Sequence, residues 1–208
     1  MVSRRSAPKI PGMKETARTH VLLQPGAVVG TRTLHGIDGE PIAIPDPRGA
    51  RIHLQFRRYA GCPICSLHLR SFTARNDELL QVGVREVVVF HSSAAELRQV
   101  HRLPFALIAD PDKLLYAEFR VGTSPRAVLD PRVWPTAVRA VARGASADPR
   151  IGRHSGSFGL PADFLIAPEG RLLAVNYGVH ADDQWSVDEL LGLAGKAELT
   201  PVSARAVG

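Results

Sequence analysis

The sequence has few of the residues that build a disulfide scaffold or a membrane span. Cysteine occurs twice in 208 residues, at Cys62 and Cys65. A secreted disulfide scaffold has more cysteines at wider spacing, so this pair excludes that class of protein. No run of apolar residues approaches the roughly 18 that cross a bilayer as a helix, so we expect no membrane partner.

The first 20 residues lack the continuous apolar core of a secretory signal peptide. They are basic and polar, and they contain two prolines, Pro8 and Pro11. On this basis we expect a cytoplasmic protein.

Lysine and aromatic residues are also scarce. The net charge is +6, from 26 Lys and Arg against 20 Asp and Glu, but only four of the basic residues are lysine and the arginines are scattered. A nucleic-acid-binding face typically combines a basic stripe with interleaved aromatic residues, and aromatics make up 6% of this chain. We therefore expect no nucleic-acid partner.

Length and composition predict one globular domain. Hydrophobic residues make up 45% of the chain and charged residues 22%, which is ordinary for a folded protein and excludes wholesale disorder. The two ends, residues 1–19 and 200–208, are rich in small and polar residues and predict flexible tails. The domain between them covers residues 20–199 and includes an irregular insertion at about 123–158.

Hydrophobic periodicity predicts strands that alternate with helices. Apolar and polar residues alternate over Arg51–Arg57, and Glu86–Phe90 is almost continuously apolar, so both segments are predicted strands. Helical spacing predicts one helix between them, ending at Gly83. Residues 162–177 predict an antiparallel hairpin. This order predicts an α/β fold in which a mixed central sheet has helices on both faces and the insertion precedes the closing hairpin.

Three sequence signals predict where further helices begin. The segments Ser93–Glu96 and Ser186–Glu189 each have the pattern of a capping box. Asp110 followed by Pro111 predicts an N-cap and the first helical residue. The helix that starts there is expected to turn Leu114 toward the core.

The two cysteines are three residues apart, which is the spacing of a redox-active pair. Proline is favoured at the first position of a helix, so Pro63 predicts that Cys62 lies at or next to the N-cap. The N–H groups and the dipole of a helix N-terminus stabilise a thiolate and lower the pKa of such a cysteine. Arg57 and Arg58 end the preceding strand and are candidates to add positive charge.

Cys65 follows Cys62 by one helical turn, so its sulfur can reach that of Cys62. It shares an apolar stripe with Leu69 and Phe72 and is predicted to be buried and less reactive. Cys62 is therefore the predicted nucleophile and Cys65 the resolving thiol. An inert cysteine pair and a structural zinc site are the alternatives, but Cys62, Cys65 and His68 offer at most three ligands, so we expect no metal.

Three further motifs accompany the cysteine pair. An Asp38–Gly39 turn closes a predicted hairpin before Arg51–Arg57, the predicted strand that leads to the cysteine pair. The segment Phe105–Gly122 reads FALIADPDKLLYAEFRVG, and Gly159–Gly170 reads GLPADFLIAPEG. With these motifs, residues 36–191 resemble peroxiredoxin-like proteins of the alkyl hydroperoxide reductase/thiol-specific antioxidant group, in the thioredoxin-like superfamily.

The resemblance implies a thioredoxin-like fold and thiol-based redox catalysis, with Cys62 as the peroxidatic cysteine and Cys65 as the resolving one. It implies a peroxide or disulfide substrate, a cellular dithiol or low-molecular-weight thiol as reductant, and no metal or organic cofactor. Gly61 and Pro63 flank the nucleophile in this site. Pro161 matches the proline that is cis in similar reductases, and we expect it to be cis and near Cys62.

Around the predicted nucleophile Cys62, the sequence departs from the typical peroxiredoxin pattern. Typical peroxiredoxins carry a proline and a threonine or serine where Gln55 and Tyr59 stand, and an arginine near Pro161, and these groups orient the peroxide. The candidate replacements for that arginine are Arg57, Arg58 and Arg126. Two activities stay open, peroxide reduction and disulfide exchange. A non-catalytic binding module or redox sensor stays open as the alternative to an enzyme, and so does assembly as a homodimer.

Overall fold

The structure is a computed structural model that describes residues 21–145, 151 and 157–198. The two predicted tails lie outside these ranges, and so does most of the loop between residues 145 and 157. The predicted domain boundaries at residues 20 and 199 therefore stay predictions.

The described strands form a hairpin and a five-stranded sheet. They are β1 (Arg32–His35), β2 (Pro41–Ile44), β3 (Arg51–Arg57), β4 (Val84–Phe90), β5 (Ala106–Ala109), β6 (Ala162–Ile166) and β7 (Leu172–Tyr177). The hairpin pairs β1 with β2 around the predicted turn at Asp38 and Gly39. The sheet has the order β5-β4-β3-β6-β7. Strands β3, β4 and β5 run parallel to one another, and β6 runs antiparallel to both of its neighbours, β3 and β7. The predicted mixed sheet and its closing hairpin are confirmed.

Helices cover both faces of the five-stranded sheet. They are α1 (Pro63–Ala74), α2 (Asn76–Gln81), α3 (Ala94–Val100), α4 (Leu114–Glu118), α5 (Arg126–Leu129), α6 (Trp134–Ala142) and α7 (Val187–Glu198). On one face, Phe56 of β3 packs with Phe119 at the end of α4. On the other face, Phe90 of β4 belongs to the same apolar cluster as Leu69 of α1. The core therefore forms two layers, one on each side of the sheet.

The helix predicted to run to Gly83 is two helices in the structure. The break is at Arg75, whose backbone leaves helical geometry with φ −120° and ψ 19°. The Arg75 guanidinium pairs with Glu78 and, at 2.7 Å, with Asp188 at the start of α7. These contacts stabilise the junction between α1 and α2, and Gly83, with φ +67°, follows the end of α2.

The start of α4 differs from the prediction. The carboxylate of Asp110 accepts the backbone N–H groups of Leu114, Leu115 and Tyr116 at 2.9, 2.8 and 3.2 Å. Asp110 thus caps the helix from four residues upstream, and α4 begins at Leu114 rather than at Pro111. The expectation that Leu114 faces the core is wrong, since its side chain is 71% exposed.

Both predicted capping boxes are present. The Ser93 hydroxyl accepts the N–H of Glu96, and the Glu96 carboxylate accepts the N–H of Ser93, at the start of α3. Ser186 and Glu189 make the same reciprocal bonds at the start of α7. These bonds satisfy N–H groups that a helix N-terminus leaves without intrahelical partners.

The parallel strands bring the redox loop to one edge of the sheet. Arg57, the last residue of β3, lies opposite Phe90, the last residue of β4. The chain leaves β3 at this edge and reaches α1 through the short loop that carries Cys62. The carboxyl edge of parallel strands is where open α/β sheets bind ligands.

Asp110 gives a test of how α4 is anchored. Because Asp110→Ala removes three hydrogen bonds to backbone N–H groups, we expect the free energy of unfolding in urea to fall by about 2 kcal/mol. Asp112→Ala is the matched control, since Asp112 is exposed, and it should change stability by less than about 0.5 kcal/mol. Equal stability of the two variants would show that Asp110 does not anchor α4.

Candidate active site

Cys62 is the N-cap residue of α1, in the position that the sequence predicts. Its backbone is extended, with φ −72° and ψ 115°, and Pro63 opens the helix. The backbone N–H of Cys65 points at the Cys62 sulfur, 3.4 Å away. A sulfur held at this point receives the partial positive charge of the helix N-terminus.

The two sulfur atoms face each other. Cys65 Sγ lies 2.9 Å from Cys62 Sγ, and the Cys65 thiol donates a hydrogen bond to the Cys62 sulfur. Both cysteines are free thiols and both are 0% exposed. A bonded pair of sulfurs is about 2.05 Å apart, so oxidation of the pair needs only a small movement of either side chain to form the disulfide.

Arg58 is the arginine that reaches the Cys62 sulfur. Its Nη1 atom lies 3.5 Å from Cys62 Sγ, and its Nη2 donates to the carbonyl oxygen of Ser157. The guanidinium also lies over the ring of Tyr59, 5.4 Å from the ring centroid. These contacts fix a buried positive charge beside the Cys62 sulfur.

The surroundings of the two thiols shift their pKa values in opposite directions. Burial by itself raises the pKa of Cys62, because an ionised sulfur loses its hydration. The Cys65 thiol, the Arg58 charge and the backbone N–H groups of Cys65 and Ile64 outweigh burial and lower the pKa of Cys62 to about 6. Burial and the adjacent Cys62 sulfur raise the pKa of Cys65 well above its usual value. Near neutral pH, Cys62 is therefore the thiolate and Cys65 the protonated thiol.

The insertion covers the cysteine pair. The carbonyl oxygen of Ile151 accepts the N–H of Gly61 at 3.1 Å, which ties the insertion to the redox loop. Val133, just before α6, belongs to the apolar cluster that contains both cysteines. These described residues of the insertion therefore contribute to the surroundings in which Cys62 and Cys65 are buried.

Arg57 does not add its charge to the Cys62 sulfur. Its guanidinium is buried beneath α1, where it pairs with Asp163 at 2.6 Å and donates to Gln55 Oε1 at 2.6 Å. It also lies 3.0 Å from His68 Nε2 on α1. The two arginines at the end of β3 therefore have different partners, and among the described contacts only Arg58 touches the Cys62 sulfur.

Arg57 belongs to a buried ionic network that the sequence analysis missed. His53 lies between two carboxylates, 2.8 Å from Glu86 and 3.2 Å from Asp163, and all three side chains are fully buried. Gln55 donates to the same carboxylate of Glu86. The network joins β3, β4, β6 and α1 with two cationic and two anionic side chains, so its charges balance.

The network fixes the protonation of its two histidines. Burial lowers the pKa of His53, but Glu86 and Asp163 outweigh it and raise the pKa to about 9. Burial and the Arg57 charge lower the pKa of His68 well below its usual value, so His68 is neutral. Burial raises the pKa of Asp163, but Arg57 and His53 hold it below its usual range.

A signal for this network is present in the sequence. His53, Gln55 and Arg57 alternate along β3 and share the face that α1 covers. A central strand with helices over both faces has no solvent-exposed side, so three polar residues on one of its faces need buried partners.

The expectation that Pro161 is cis is wrong. In the described part of the chain the cis peptide bond is Ile44–Pro45, and Leu160–Pro161 is trans. The Leu160 N–H donates to the carbonyl of Gly122 at 3.1 Å, and the Pro161 carbonyl accepts the N–H of Gly178 at 3.0 Å. The Gly178 bond continues the pairing of β6 with β7 one residue beyond Ala162 and Tyr177, and the Leu160 bond ties the same segment to Gly122. The chain thus enters β6 through a trans Pro161 that is already paired on both sides.

Arg126 is not part of the cysteine site. It is the first residue of α5, and its side chain is exposed. Of the three arginines considered as replacements for the family arginine, the geometry favours Arg58.

The comparison with protein families decides the affiliation of the chain. The model of the AhpC/TSA family matches residues 25–175, which is more than half of the sequence. The chain belongs to the AhpC/TSA family. It is a thiol-dependent peroxidase or thiol–disulfide oxidoreductase. No curated protein sequence matches the chain.

Solved structures show that this AhpC/TSA protein has a thioredoxin-like fold. Peroxidoxin BcpB from Mycobacterium tuberculosis has a TM-score of 0.58 at 16% identity, covering 86% of this chain and 99% of the other. A cysteine-to-serine mutant of peroxiredoxin 6 from Arenicola marina has a TM-score of 0.63 at 13% identity, with coverages of 88% and 80%. A putative thiol:disulfide interchange protein, DsbE from Chlorobium tepidum, has a TM-score of 0.53 at 16% identity, with coverages of 84% and 100%. At these identities the likeness concerns the fold.

Two features are absent from the described residues of this AhpC/TSA protein. None of their helices is long and apolar enough to cross a membrane. Nor do these residues bring together three or more His, Cys, Asp or Glu side chains in a group that could hold a metal ion.

The charge of Arg58 can be tested through the acidity of Cys62. We expect Arg58→Gln to raise the pKa of Cys62 by about one unit or more, because the nearest positive charge is lost. Ultraviolet thiolate absorbance against pH measures this in the Cys65→Ser background, where only one thiol titrates. Arg70→Gln is the control, since the exposed Arg70 side chain bonds the carbonyls of Arg143 and Gly144. An unchanged pKa in Arg58→Gln would remove Arg58 from the account of thiolate stability.

The raised pKa of His53 predicts a pH dependence of stability. A histidine whose pKa rises on folding contributes stability that is fully present below about pH 6.5 and is lost as the pH rises through about 9. For His53 this contribution is up to about 3 kcal/mol. Cys62 titrates in the same range with the opposite sign, because its pKa is lowered.

The raised pKa of Cys65 makes its contribution fall in the same range with the same sign as that of His53. The measurement is therefore made in a background in which Cys62 and Cys65 are both replaced by serine. Urea unfolding at about pH 6 and about pH 9.5 should show a loss of stability, and His53→Gln should remove most of that pH dependence. The same loss with and without His53 would contradict a protonated His53 in the folded protein.

Proposed function

We propose that the protein is a peroxidase in which Cys62 attacks the peroxide and Cys65 resolves the oxidised product. The observation that carries this proposal is the arrangement of the two thiols. The Cys62 thiol has a lowered pKa and lies at the N-terminus of α1. Its sulfur has the Arg58 guanidinium at 3.5 Å and the Cys65 sulfur at 2.9 Å. A nucleophile, a positive charge and a resolving thiol therefore meet within contact distance.

Complete burial of both cysteines favours a small oxidant. Disulfide exchange with a protein requires the attacking sulfur to meet a sulfur on the surface of the partner. Cys62 is 0% exposed beneath the insertion, whereas a peroxide group needs only a narrow path to the sulfur. For this reason we place peroxide reduction before disulfide exchange.

In the first step the Cys62 thiolate attacks the terminal oxygen of the peroxide. A sulfur–oxygen bond forms and the oxygen–oxygen bond breaks, so Cys62 is oxidised to a sulfenic acid and the peroxide is reduced. The leaving oxygen departs as an alkoxide or hydroxide and takes a proton from water. The Arg58 guanidinium stabilises the negative charge that develops on this oxygen.

In the second step Cys65 attacks the sulfenic acid of Cys62. The Cys65 sulfur forms the disulfide bond, and its proton leaves with the sulfenic hydroxyl as water. Cys65 is protonated in the resting enzyme, so it does not compete with Cys62 for the oxidant.

A thiol reductant then returns the pair to the dithiol state. A dithiol attacks the Cys62–Cys65 disulfide, forms a mixed disulfide and leaves as its own disulfide when its second sulfur attacks. The electrons for peroxide reduction thus come from thiols, and the burial of the pair favours a low-molecular-weight thiol or dithiol.

Disulfide exchange is the second candidate function. The Cys-x-x-Cys spacing favours it, because both sulfurs lie within one helical turn and can close a disulfide after attack on a substrate disulfide. It requires the insertion to move away from Cys62.

The roles of the two cysteines have a direct test. We expect Cys62→Ser to abolish turnover with hydrogen peroxide and a dithiol. Cys65→Ser should react once and retain a sulfenic acid at Cys62, which dimedone traps as an adduct that mass spectrometry identifies. Ser66→Ala is a control at a neighbouring buried position.

Two results would contradict the assignment. Normal turnover of Cys65→Ser with the same reductant would show that Cys65 does not resolve the oxidised nucleophile. Retained activity of Cys62→Ser would place the chemistry on another residue.

A further inference from the structure

Tyr116 of α4 joins the ends of two strands at the edge of the sheet that carries the redox loop. Its hydroxyl donates to the carbonyl oxygens of Arg57 in β3 and Val89 in β4, the latter at 3.0 Å. The same hydroxyl accepts the backbone N–H of His91. One buried side chain therefore holds three backbone groups where the chain leaves β3 for Cys62.

The surroundings of Tyr116 keep its hydroxyl in the protonated form that donates these bonds. Burial raises the pKa of Tyr116 well above its usual value. The ring lies edge-on to Phe56 and to His91, with centroids 5.0 and 5.5 Å apart. These contacts fix the ring, so the hydroxyl is held in one position relative to the Arg57 carbonyl.

The carbonyl that Tyr116 binds belongs to the peptide unit between Arg57 and Arg58. In the described part of the chain the cis peptide bond is Ile44–Pro45, so the bond between the two arginines is trans. The carbonyl and the N–H of a trans peptide unit share one plane and point in opposite directions. A hydroxyl that holds the Arg57 carbonyl therefore also fixes the direction of the Arg58 N–H.

The Arg58 N–H donates to the Cys65 sulfur. Burial and the adjacent Cys62 sulfur raise the pKa of Cys65, and the Arg58 charge and this N–H act in the opposite direction. After burial, an ionised Cys65 is the largest influence that raises the pKa of Tyr116, so the hydroxyl lies within electrostatic reach of the same sulfur. The N–H thus stabilises negative charge on Cys65, the proposed resolving thiol.

We propose that Tyr116 is a positioning residue for the resolving thiol, because it aims the Arg58 N–H at the Cys65 sulfur through the peptide unit that it binds. The inference rests on the proposed function and adds a residue to it. Tyr116 has no described hydrogen bond to either sulfur, so it acts through the backbone and is not a catalytic residue.

Negative charge develops on Cys65 in two steps of the proposed cycle. When Cys65 attacks the sulfenic acid of Cys62, its sulfur loses the proton while the sulfur–sulfur bond forms and water leaves. When a reductant thiolate attacks Cys62 in the disulfide, the new bond to Cys62 forms and the sulfur–sulfur bond breaks. The electron pair leaves on Cys65, which then takes a proton. The Arg58 N–H stabilises the Cys65 sulfur in both steps.

The attack of Cys62 on the peroxide does not depend on Tyr116. In that step the charge moves from the Cys62 sulfur to the leaving oxygen, and the group that faces both is the Arg58 guanidinium. The contacts that hold this guanidinium are the Ser157 carbonyl and the ring of Tyr59. Loss of the Tyr116 hydroxyl should therefore slow the steps that charge Cys65 and leave the first step intact.

The test follows one turnover of Tyr116→Phe, which removes the hydroxyl and keeps the ring. Reduced protein is mixed with one equivalent of hydrogen peroxide and quenched in acid at set times, and mass spectrometry measures the sulfenic acid and the disulfide. We expect sulfenic acid formation within about twofold of the wild-type rate and disulfide closure slower by about fivefold or more. Unchanged closure would overturn the proposal. An equal slowing of both steps would also overturn it, because that result indicates a general loosening of the site.

Tyr177→Phe is the matched control. The Tyr177 hydroxyl also binds two backbone groups, since it donates to the carbonyl of Phe119 at 2.7 Å and accepts the N–H of Leu23 at 3.1 Å. Neither group belongs to the redox loop, so both rate constants should equal those of wild type. Urea unfolding of the two variants measures the stability that each hydroxyl contributes, separately from the rates. Slower closure in Tyr177→Phe by the same factor would overturn the assignment to Tyr116.

Opening of the disulfide separates this proposal from the proposed function, because it needs no peroxide. With the pair oxidised by diamide, dithiothreitol should open the disulfide about fivefold or more slowly in Tyr116→Phe and at the wild-type rate in Tyr177→Phe. If this pattern appears but wild-type protein does not turn over hydrogen peroxide, the positioning role holds and the peroxidase function is wrong. If hydrogen peroxide is turned over and neither closure nor opening changes in Tyr116→Phe, the function holds and the positioning role is wrong.

Discussion

The structure depends on keeping an ionised sulfur in a site that is buried from solvent. A buried thiolate is unstable unless nearby groups replace the hydration that it loses. In this protein the Cys65 thiol, the Arg58 guanidinium and the N-terminus of α1 replace it, at distances of 2.9 to 3.5 Å from the Cys62 sulfur. The same groups take part in the proposed reaction, because one is the resolving thiol and another faces the leaving oxygen.

Two parts of the fold hold α1 in the position that this arrangement requires. The insertion covers the N-terminal end of the helix, where Ile151 and Ser157 accept hydrogen bonds from Gly61 and Arg58. Beneath the helix, Arg57 connects His68 to the ionic network of the central sheet. Removing one member of such a network leaves a buried charge without its partner, which is more destabilising than the loss of an exposed ion pair.

Local signals in the sequence predicted the framework of the site and missed the contacts made over long distances. Pro63 after Cys62 marks a helix start, so the N-cap position of Cys62 followed from the sequence. The directions of Arg57 and Arg58 did not, since each is decided by partners about 100 residues away in β6 and the insertion. The segment around the trans Pro161 likewise bonds Gly122 and Gly178, partners that no local pattern identifies.

The central claim is that the buried Cys62 thiolate reacts with peroxides in preference to disulfides. Stopped-flow measurement of reduced protein with hydrogen peroxide, and with a model disulfide such as oxidised glutathione, compares the two second-order rate constants directly. The account predicts that the rate constant for hydrogen peroxide is the larger, and that it falls with pH below about 6 as Cys62 becomes protonated. A larger rate constant for the disulfide would contradict the account and assign the protein to disulfide exchange.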